Sequence, residues 1–376
     1  MRIEEISVFH VAMPLIDPWK TAFGEMREVD TVLVRMRSEG ETGWGECAPY
    51  AQPNFSSEWA QGCFSLITSI FRPLLLGQEI TSAHDLQDRL SPFKGNHFAK
   101  AAVDLAWWDL STRLHNRPLW QMIGGQDRTI SVGADIPVQL DRNRLIHLVA
   151  AALDAGYPRV KLKYRRDSGV EMVACVREAF PEAVIHIDCN SGFSLNDVAE
   201  FRALDRLRLA MIEQPLASDD LIDHARLQGE LETPLCLDES ITSVDRARKA
   251  IDTGAARIIN IKHGRVGGLT NAVEIARLCH QRGIPFWIGG MLESAVGQGP
   301  SMALATLPGV GYPADIFPNG RLYSHELSWP PIKLSAPGQM TVSDDKGCGY
   351  RPEFATLKAR LRQSMEDRDL QGETLA

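Results

Sequence analysis

Five ionisable residues recur along this chain at an almost constant step. Lys163, Asp188, Glu213, Asp238 and Lys262 follow one another at intervals of 25, 25, 25 and 24 residues. Each closes a short apolar run: Arg159–Lys163 (RVKLK), Ala183–Asp188 (AVIHID), Leu209–Glu213 (LAMIE), Pro234–Asp238 (PLCLD) and Arg257–Lys262 (RIINIK). A strand of about five residues, a loop and a helix of about ten to twelve together make roughly one such step. The spacing therefore predicts one charged side chain at the C-terminal end of each of five successive parallel strands. In a (β/α)8 barrel those ends all face one mouth.

The flanking sequence extends the pattern. Strand and helix alternate from about residue 128 to 320. The first strand is expected at Thr129–Ala134, with a helix around 141–155. A strand at Ile284–Ile288 runs into Gly289–Ser294 (GGMLES). Helices are expected at Ser168–Ala179, Leu195–Leu204 and Leu269–Gln281. That alternation predicts an α/β fold, a parallel sheet with helices outside. Seven barrel strands can be counted, and the eighth is expected near Gly309–Asp315, or shortened. Residues 1–125 read differently, with strands at Arg2–Met13, Val29–Arg37 and Gly43–Cys47, then helices over 57–75, 82–91 and 97–115. Strands followed by helices predict an α+β domain, and Ile123-Gly124-Gly125 reads as the break after it. Residues 321–376 hold short strand-like runs, a charged helix-like stretch at Pro352–Asp367 and a frayed end at Gln371–Ala376.

Composition narrows the function class. The 376 residues are 44% hydrophobic, enough for a large core and more than one domain. A formal charge of -8 without a basic stripe argues against nucleic acid as a partner. No apolar run reaches the length of a membrane span, so no membrane partner is expected. Met1–Ile6 (MRIEEI) carries two acids, which argues against a secretory signal. The cysteines, at 47, 63, 175, 189, 236, 279 and 348, are odd in number and contain no C-x-x-C. That usage fits reduced thiols and a cytoplasmic location. Cys189 and Cys236, beside the acidic positions, are expected to be small buried fillers.

Adjacent parallel strands would bring Asp188, Glu213 and Asp238 side by side. Three converging carboxylates repel one another unless something positive lies between them. A hard divalent cation with oxygen ligands is the natural partner, and Mg2+ suits a site that keeps positions open for substrate oxygens. The alternative is three unrelated helix caps, and the common period weighs against it. Lys161 and Lys163 alternate along one strand and so point to the same side. Lys262 lies across the triad from them in strand order, so lysines should flank the metal on both sides. A lysine is a useful base when neutral, and neighbouring cations favour that form. The chemistry this suits is removal of a proton next to a carboxylate, with Mg2+ against the enediolate. The bland reading of each lysine is a surface residue that stretches out to water.

At this point the residues match a known pattern. The chain resembles the enolase superfamily, in its muconate-lactonizing subgroup, and is most similar to o-succinylbenzoate synthases that also racemise N-acylamino acids. The matching stretches are Gly43–Cys47 (GWGEC), Lys100–Leu110 (KAAVDLAWWDL), Val160–Lys163 (VKLK), Asp188–Asn190 (DCN), Met211–Pro215 (MIEQP), Leu237–Ser240 (LDES), Asn260–Gly268 (NIKHGRVGG) and Gly289–Ser294 (GGMLES). The resemblance implies a modified TIM barrel, (β/α)7β, over residues 126–320. It implies an α+β capping domain over 1–125, completed by the C-terminal segment 321–376. It implies Mg2+, with Mn2+ as a substitute, on Asp188, Glu213 and Asp238, and Lys163 and Lys262 as the acid/base pair assisted by Lys161. Asn190 and Glu239 match positions next to the metal. Arg265 matches a basic position common in racemising members, the alternative being a first-turn surface residue. A homo-oligomer, dimer or octamer, is implied as well.

A cap should also exclude water from the mouth. The expected elements are an aromatic loop, Asp17–Gly24, and the segment Pro49–Phe55. Trp19, Phe23, Tyr50 and Phe55 would line a pocket for the substrate's side group. Met291 and Leu292 would form the other wall, and Glu293 would close the strand. The sequence departs from the family pattern at Tyr164–Ser168 (YRRDS), at His263 where proline is common, and at Gln298 in place of a frequent arginine.

The expected function is Mg2+-dependent proton abstraction from a small carboxylate substrate. It takes the form of o-succinylbenzoate synthase, which implies menaquinone biosynthesis, of N-succinylamino acid racemase, or of both. The alternatives are a muconate-type cycloisomerase and an epimerase of dipeptides or proline betaines. Dipeptide epimerases of the family often carry Asp-x-Asp after a late barrel strand, where this chain has Gly289–Glu293 (GGMLE). A non-catalytic barrel used as a binding module would be expected to have lost a ligand or a lysine, and none is lost.

Overall fold

The computed structural model describes residues 1–21 and 24–366. Phe23 and the expected frayed end Gln371–Ala376 lie outside the described residues. Three strands open the chain: β1 (Glu5–Thr21), β2 (Gly24–Ser38) and β3 (Glu41–Cys47). Eight short ones follow: β4 (Thr129–Ser131), β5 (Ala134–Ile136), β6 (Val160–Lys163), β7 (Ile185–Asp188), β8 (Ile212–Glu213), β9 (Leu235–Leu237), β10 (Ile258–Ile261) and β11 (Phe286–Ile288). The first three form an antiparallel sheet. The strand Leu361–Met365 adds to its edge, antiparallel to β1.

The expected helix over Pro352–Asp367 is corrected here. It stops at Arg360, and Leu361–Met365 extends to pair Val8 with Met365 and His10 with Gln363. A free edge on β1 offers ladder hydrogen bonds that outweigh the helix propensity of these residues. The expected loop Asp17–Gly24 is also corrected. Trp19 pairs with Met26 and Thr21 with Gly24, so residues 19–21 lie in the arm of a long hairpin.

The helix His97–Leu114 packs on β3 at unusually short range. It is buried nearly all round, as its apolar, alanine-rich sequence requires. Gly43 and Gly45 face it. A Cβ on Gly45 would stand 2.2 Å from the Ala102 carbonyl oxygen and 2.4 Å from the Ala106 nitrogen. Both are backbone atoms, so no rotamer change relieves the clash. Gly45→Ala is expected to cost about 3 kcal/mol through forced backbone shifts, read as a lowered urea midpoint with an unchanged slope. A midpoint within error of the parent protein would contradict this packing.

Seven parallel strands, β5 to β11, run side by side in chain order. The expected first strand, Thr129–Ala134, divides. β4 leaves the ring to pair antiparallel with Gln339–Thr341, and the barrel strand proper starts at Ala134. The expected eighth strand is reduced to two single bridges, Val310 to Phe286 and Ala314 to Val132. These close the gap between β11 and the start of β5. Gly133 sits where Arg159 turns inward, and a Cβ there would lie 1.9 Å from the arginine Nε.

Register sets the site. Lys163 pairs with Asp188, and Asp188 with Glu213, so three charged ends share one level. Glu213 pairs with Cys236, which puts Asp238 two residues further along its strand. All seven cysteines are free and buried, Cys189 and Cys236 among them. No helix of the described residues is long and apolar enough to cross a membrane.

Candidate active site

Asp188, Glu213 and Asp238 converge at the C-terminal ends of the central strands. One carboxylate oxygen from each lies within 4.8 Å of the others. All three are buried, and Glu213 Oε2 and Asp238 Oδ2 have no aligned hydrogen-bond donor. Buried carboxylate oxygens carry a desolvation cost that nearby positive charge must offset, and the lysine ammoniums reach these two at 3.4 and 2.9 Å without an aligned hydrogen bond. An all-oxygen donor set of three carboxylates fits a hard divalent ion.

The lysines stand on either side. Lys163 Nζ lies 2.6 Å from Asp188 Oδ2 and 3.3 Å from Asn190 Oδ1. Lys262 Nζ lies 2.9 Å from Asp238 Oδ2, 3.7 Å from Met291 Sδ and 4.9 Å from the centre of the Phe55 ring. Lys161 is the deepest. Asp315 and Asp135 hold its ammonium, with Glu213 at 3.4 Å and Asp188 at 3.5 Å. Burial disfavours its charge, but these four carboxylates outweigh burial and hold its pKa well above the ordinary lysine value.

The partners of the acids are ordered in turn. Asn190 Nδ2 donates to Glu239 Oε1 at 3.1 Å, which links the Asp188 loop to the Asp238 loop. Arg265 is buried, not a surface residue: it donates to Asp238, to the Ile241 carbonyl at 2.8 Å and to the Asn260 carbonyl at 2.6 Å. Gln214 Oε1 accepts from Asp238 N at 3.0 Å and Ser240 N at 3.1 Å. That fixes the turn on which Asp238 sits.

Several residues of this network were not singled out in the sequence. Asn260 donates to Glu213 Oε1 at 2.7 Å. His186 places Nε2 3.4 Å from Glu213 Oε2, and burial pushes its pKa down to about 4. Arg159 donates to Asp315 and to Asp135, and its guanidinium lies 5.4 Å from the Trp287 ring centre. Asn260, His186 and Arg159 each stand two residues before Lys262, Asp188 and Lys161. The alternation that places Lys161 beside Lys163 would have found them too. Asp135 and Asp315 carried no such signal, because they lie on the strand that divides and on the closing segment.

Trp19, Thr21, Tyr50 and Phe55 come down from the first sheet and its loops onto a cavity of about 30 Å³. Its other lining residues include Asp135, Lys161, Lys163, Asn190, Lys262, Gly290, Leu292, Asp315 and Phe317. Both flanking lysines thus open on the same space. Trp19 also leans on Phe317, with ring centres 6.3 Å apart. Met291 and Glu293 do not line the cavity. The Glu293 carboxylate turns back to accept Met291 N at 2.7 Å, and Met291 packs on Lys262.

Residues 144–355 match the family model described as enolase C-terminal domain-like. Residues 3–124 match the mandelate racemase / muconate lactonizing enzyme N-terminal domain. An N-succinylamino acid racemase of Thermus thermophilus is 39% identical over 349 residues, covering 93% of this chain and 94% of that protein. An o-succinylbenzoate synthase of Geobacillus stearothermophilus is 39% identical over 351 residues, covering 93% of each. A solved enolase-superfamily structure from Listeria innocua superposes with a TM-score of 0.93 at 35% identity, over 97% of this chain and 99% of that one. With both halves matched and relatives at this identity spanning nearly its whole length, the chain belongs to the mandelate racemase / muconate lactonizing enzyme family of the enolase superfamily.

Proposed function

We propose that this protein removes the proton α to the carboxylate of a small substrate, acting as an o-succinylbenzoate synthase, an N-succinylamino acid racemase or both. The observation that carries the reading is the pair of lysines, Lys163 and Lys262, lining one cavity from opposite flanks of the acidic triad. The relatives at 39% identity carry both names, and both reactions begin with the same proton abstraction. Cycloisomerase and epimerase readings have no such support.

Asp188, Glu213 and Asp238 would hold Mg2+, or Mn2+ in its place, with positive charge against the oxygens of an enediolate. The protein's own groups do the rest. Asn190 and Asp188 aim the Lys163 amine, and Asp238 and Met291 aim Lys262. In dehydration, Lys163 takes the α-proton and then returns it to the departing hydroxyl, so water leaves and a C=C bond forms. Lys262 remains an ammonium and offsets the negative charge. In racemisation, one lysine removes the proton and the other delivers one to the opposite face. Trp19, Tyr50 and Phe55 keep water away from the carbanion-like carbon. Lys161 and Arg265 keep the charges around the acids in place. The protein works as a homo-oligomer, a dimer or an octamer, in the cytoplasm.

The test is to assay purified protein for o-succinylbenzoate formation and for racemisation of N-succinyl amino acids, before and after chelation. At least one activity should be present, vanish with the chelator and return with Mg2+. Absence of both with Mg2+ supplied, or activity indifferent to chelation, would end the proposal.

A further inference from the structure

One wall of the cavity is the loop Gly289–Ser294, through Gly290 and Leu292. It is not a relaxed loop. Leu292 has a φ of +60°, a region that a residue with a side chain occupies only when its surroundings over-determine it. Two groups from beyond the loop supply that constraint. The Tyr323 hydroxyl donates to the Leu292 carbonyl oxygen. Glu46, on β3 of the first sheet, takes the other end.

Glu46 is fully buried. It accepts from Ser294 N at 3.1 Å, from the Ser294 hydroxyl and from Gly297 N at 2.9 Å. A fourth donor, the Thr31 hydroxyl at 2.9 Å, comes from neighbouring β2. Both carboxylate oxygens are therefore used, three of the four bonds going to the start of the helix Ala295–Leu304. The contact is also tight in space. A Cβ on Gly297 would lie 2.6 Å from the Glu293 Cβ and 3.1 Å from Glu46 Oε2. Glu46 does not line the cavity, so it acts only through the loop. The same loop presses Met291 against Lys262.

We propose that Glu46 is a positioning residue through which the antiparallel sheet sets the Gly290–Leu292 wall, and with it the side group the cavity accepts. The sheet that brings Trp19 onto the cavity thus also shapes the wall contributed by the barrel. This rests on reading the cavity as the substrate site.

Glu46→Gln keeps the length of the side chain but replaces one accepting oxygen by a donor. Two measurements on the full-length protein separate the outcomes. The first is hydrogen–deuterium exchange of peptides covering residues 289–298, which needs no substrate. Exchange there is expected to rise at least about tenfold, with peptides from β10 unchanged. The second is steady-state kinetics with N-succinyl amino acids of small and large side groups. The KM ratio between the two classes is expected to shift at least about tenfold while kcat moves much less. Parental exchange together with a parental side-group preference would overturn the proposal. So would a uniform fall in kcat that tracks loss of folded protein. If Glu46→Gln fails to fold, Gly297→Ala disturbs the same contact from the helix side and carries the same two expectations. If the unsubstituted protein turns over no substrate of either class, the functional reading fails, and the exchange measurement still decides whether Glu46 holds the loop.

Discussion

Lys163→Ala and Lys262→Ala are each expected to lower racemisation by about a thousandfold or more, the scale of a positioned general acid or base. The two variants should nevertheless differ in what they retain. Lys163 and Lys262 belong to strands on opposite sides of the triad, and each amine is oriented by a different carboxylate, Asp188 for one and Asp238 for the other. Removing one lysine leaves the other able to take a proton from its own face. In heavy water, Lys262→Ala should still exchange the α-hydrogen of one enantiomer, and Lys163→Ala that of the other. Neither should interconvert them. For dehydration the asymmetry takes another form. Lys163→Ala removes the group that both takes and returns the proton, whereas Lys262→Ala removes an ammonium that offsets charge. Both losses should appear in kcat, because the groups act on the reacting atoms rather than on binding alone. Exchange of both enantiomers by either variant, or turnover unchanged in both, would mean that the lysines do not divide the two faces.

The charged ends were legible because they rest on local chemistry repeated at a structural period. A five-residue apolar run closed by an acid or a lysine reads the same wherever it stands in the sheet, and β6 to β8 carry those ends in register, with Asp238 two residues beyond the level of Glu213. What was missed depended on partners far away in sequence. Thr129–Ala134 is a continuous β-prone run, and nothing in it shows that Thr129–Ser131 pairs with Gln339–Thr341 while Ala134 starts the barrel. Leu361–Met365 has helix-compatible residues and becomes a strand because β1, more than three hundred residues earlier, leaves an edge to fill. The ion cluster of Arg159, Asp135 and Asp315 around Lys161 was hidden for the same reason, since its acids lie on the divided strand and the closing segment. Barrel interiors are ordinarily filled by branched apolar side chains. Arg159 and Lys161 inside the barrel mark charge kept there at the cost of desolvation, a pattern that belongs to sites more than to scaffolds.

Glu213→Gln is expected to weaken metal binding severely and, with it, turnover, with the fold retained. Glu213 is the central member of the triad, flanked by Asp188 on β7 and by Asp238 at the end of β9. Burial pushes its carboxyl pKa up, but Lys161 and His186 outweigh that and hold it below the usual carboxylate range. Oε1 is occupied by the Asn260 amide at 2.7 Å, and Oε2 is the oxygen left without an aligned donor. An amide can keep the first contact and cannot supply the second. It would place either a neutral oxygen or an NH2 group where the charge was, and the NH2 would face Lys161 and His186 at about the distances Oε2 now holds, 3.4 Å each. The variant should therefore keep the register of β8 and lose one charged ligand of three. Calorimetric titration with Mg2+ should show affinity lowered at least about a hundredfold. Ligand linkage provides an independent reading, since Mg2+ at a hundred times its dissociation constant should stabilise the parent protein by about 2.7 kcal/mol. At that concentration the variant should gain at most about 0.4 kcal/mol, so the rise in melting temperature on adding Mg2+ should shrink to a small fraction of the parent's. Equal Mg2+-dependent stabilisation of parent and variant would place the ion elsewhere and leave the three acids without the partner their convergence requires.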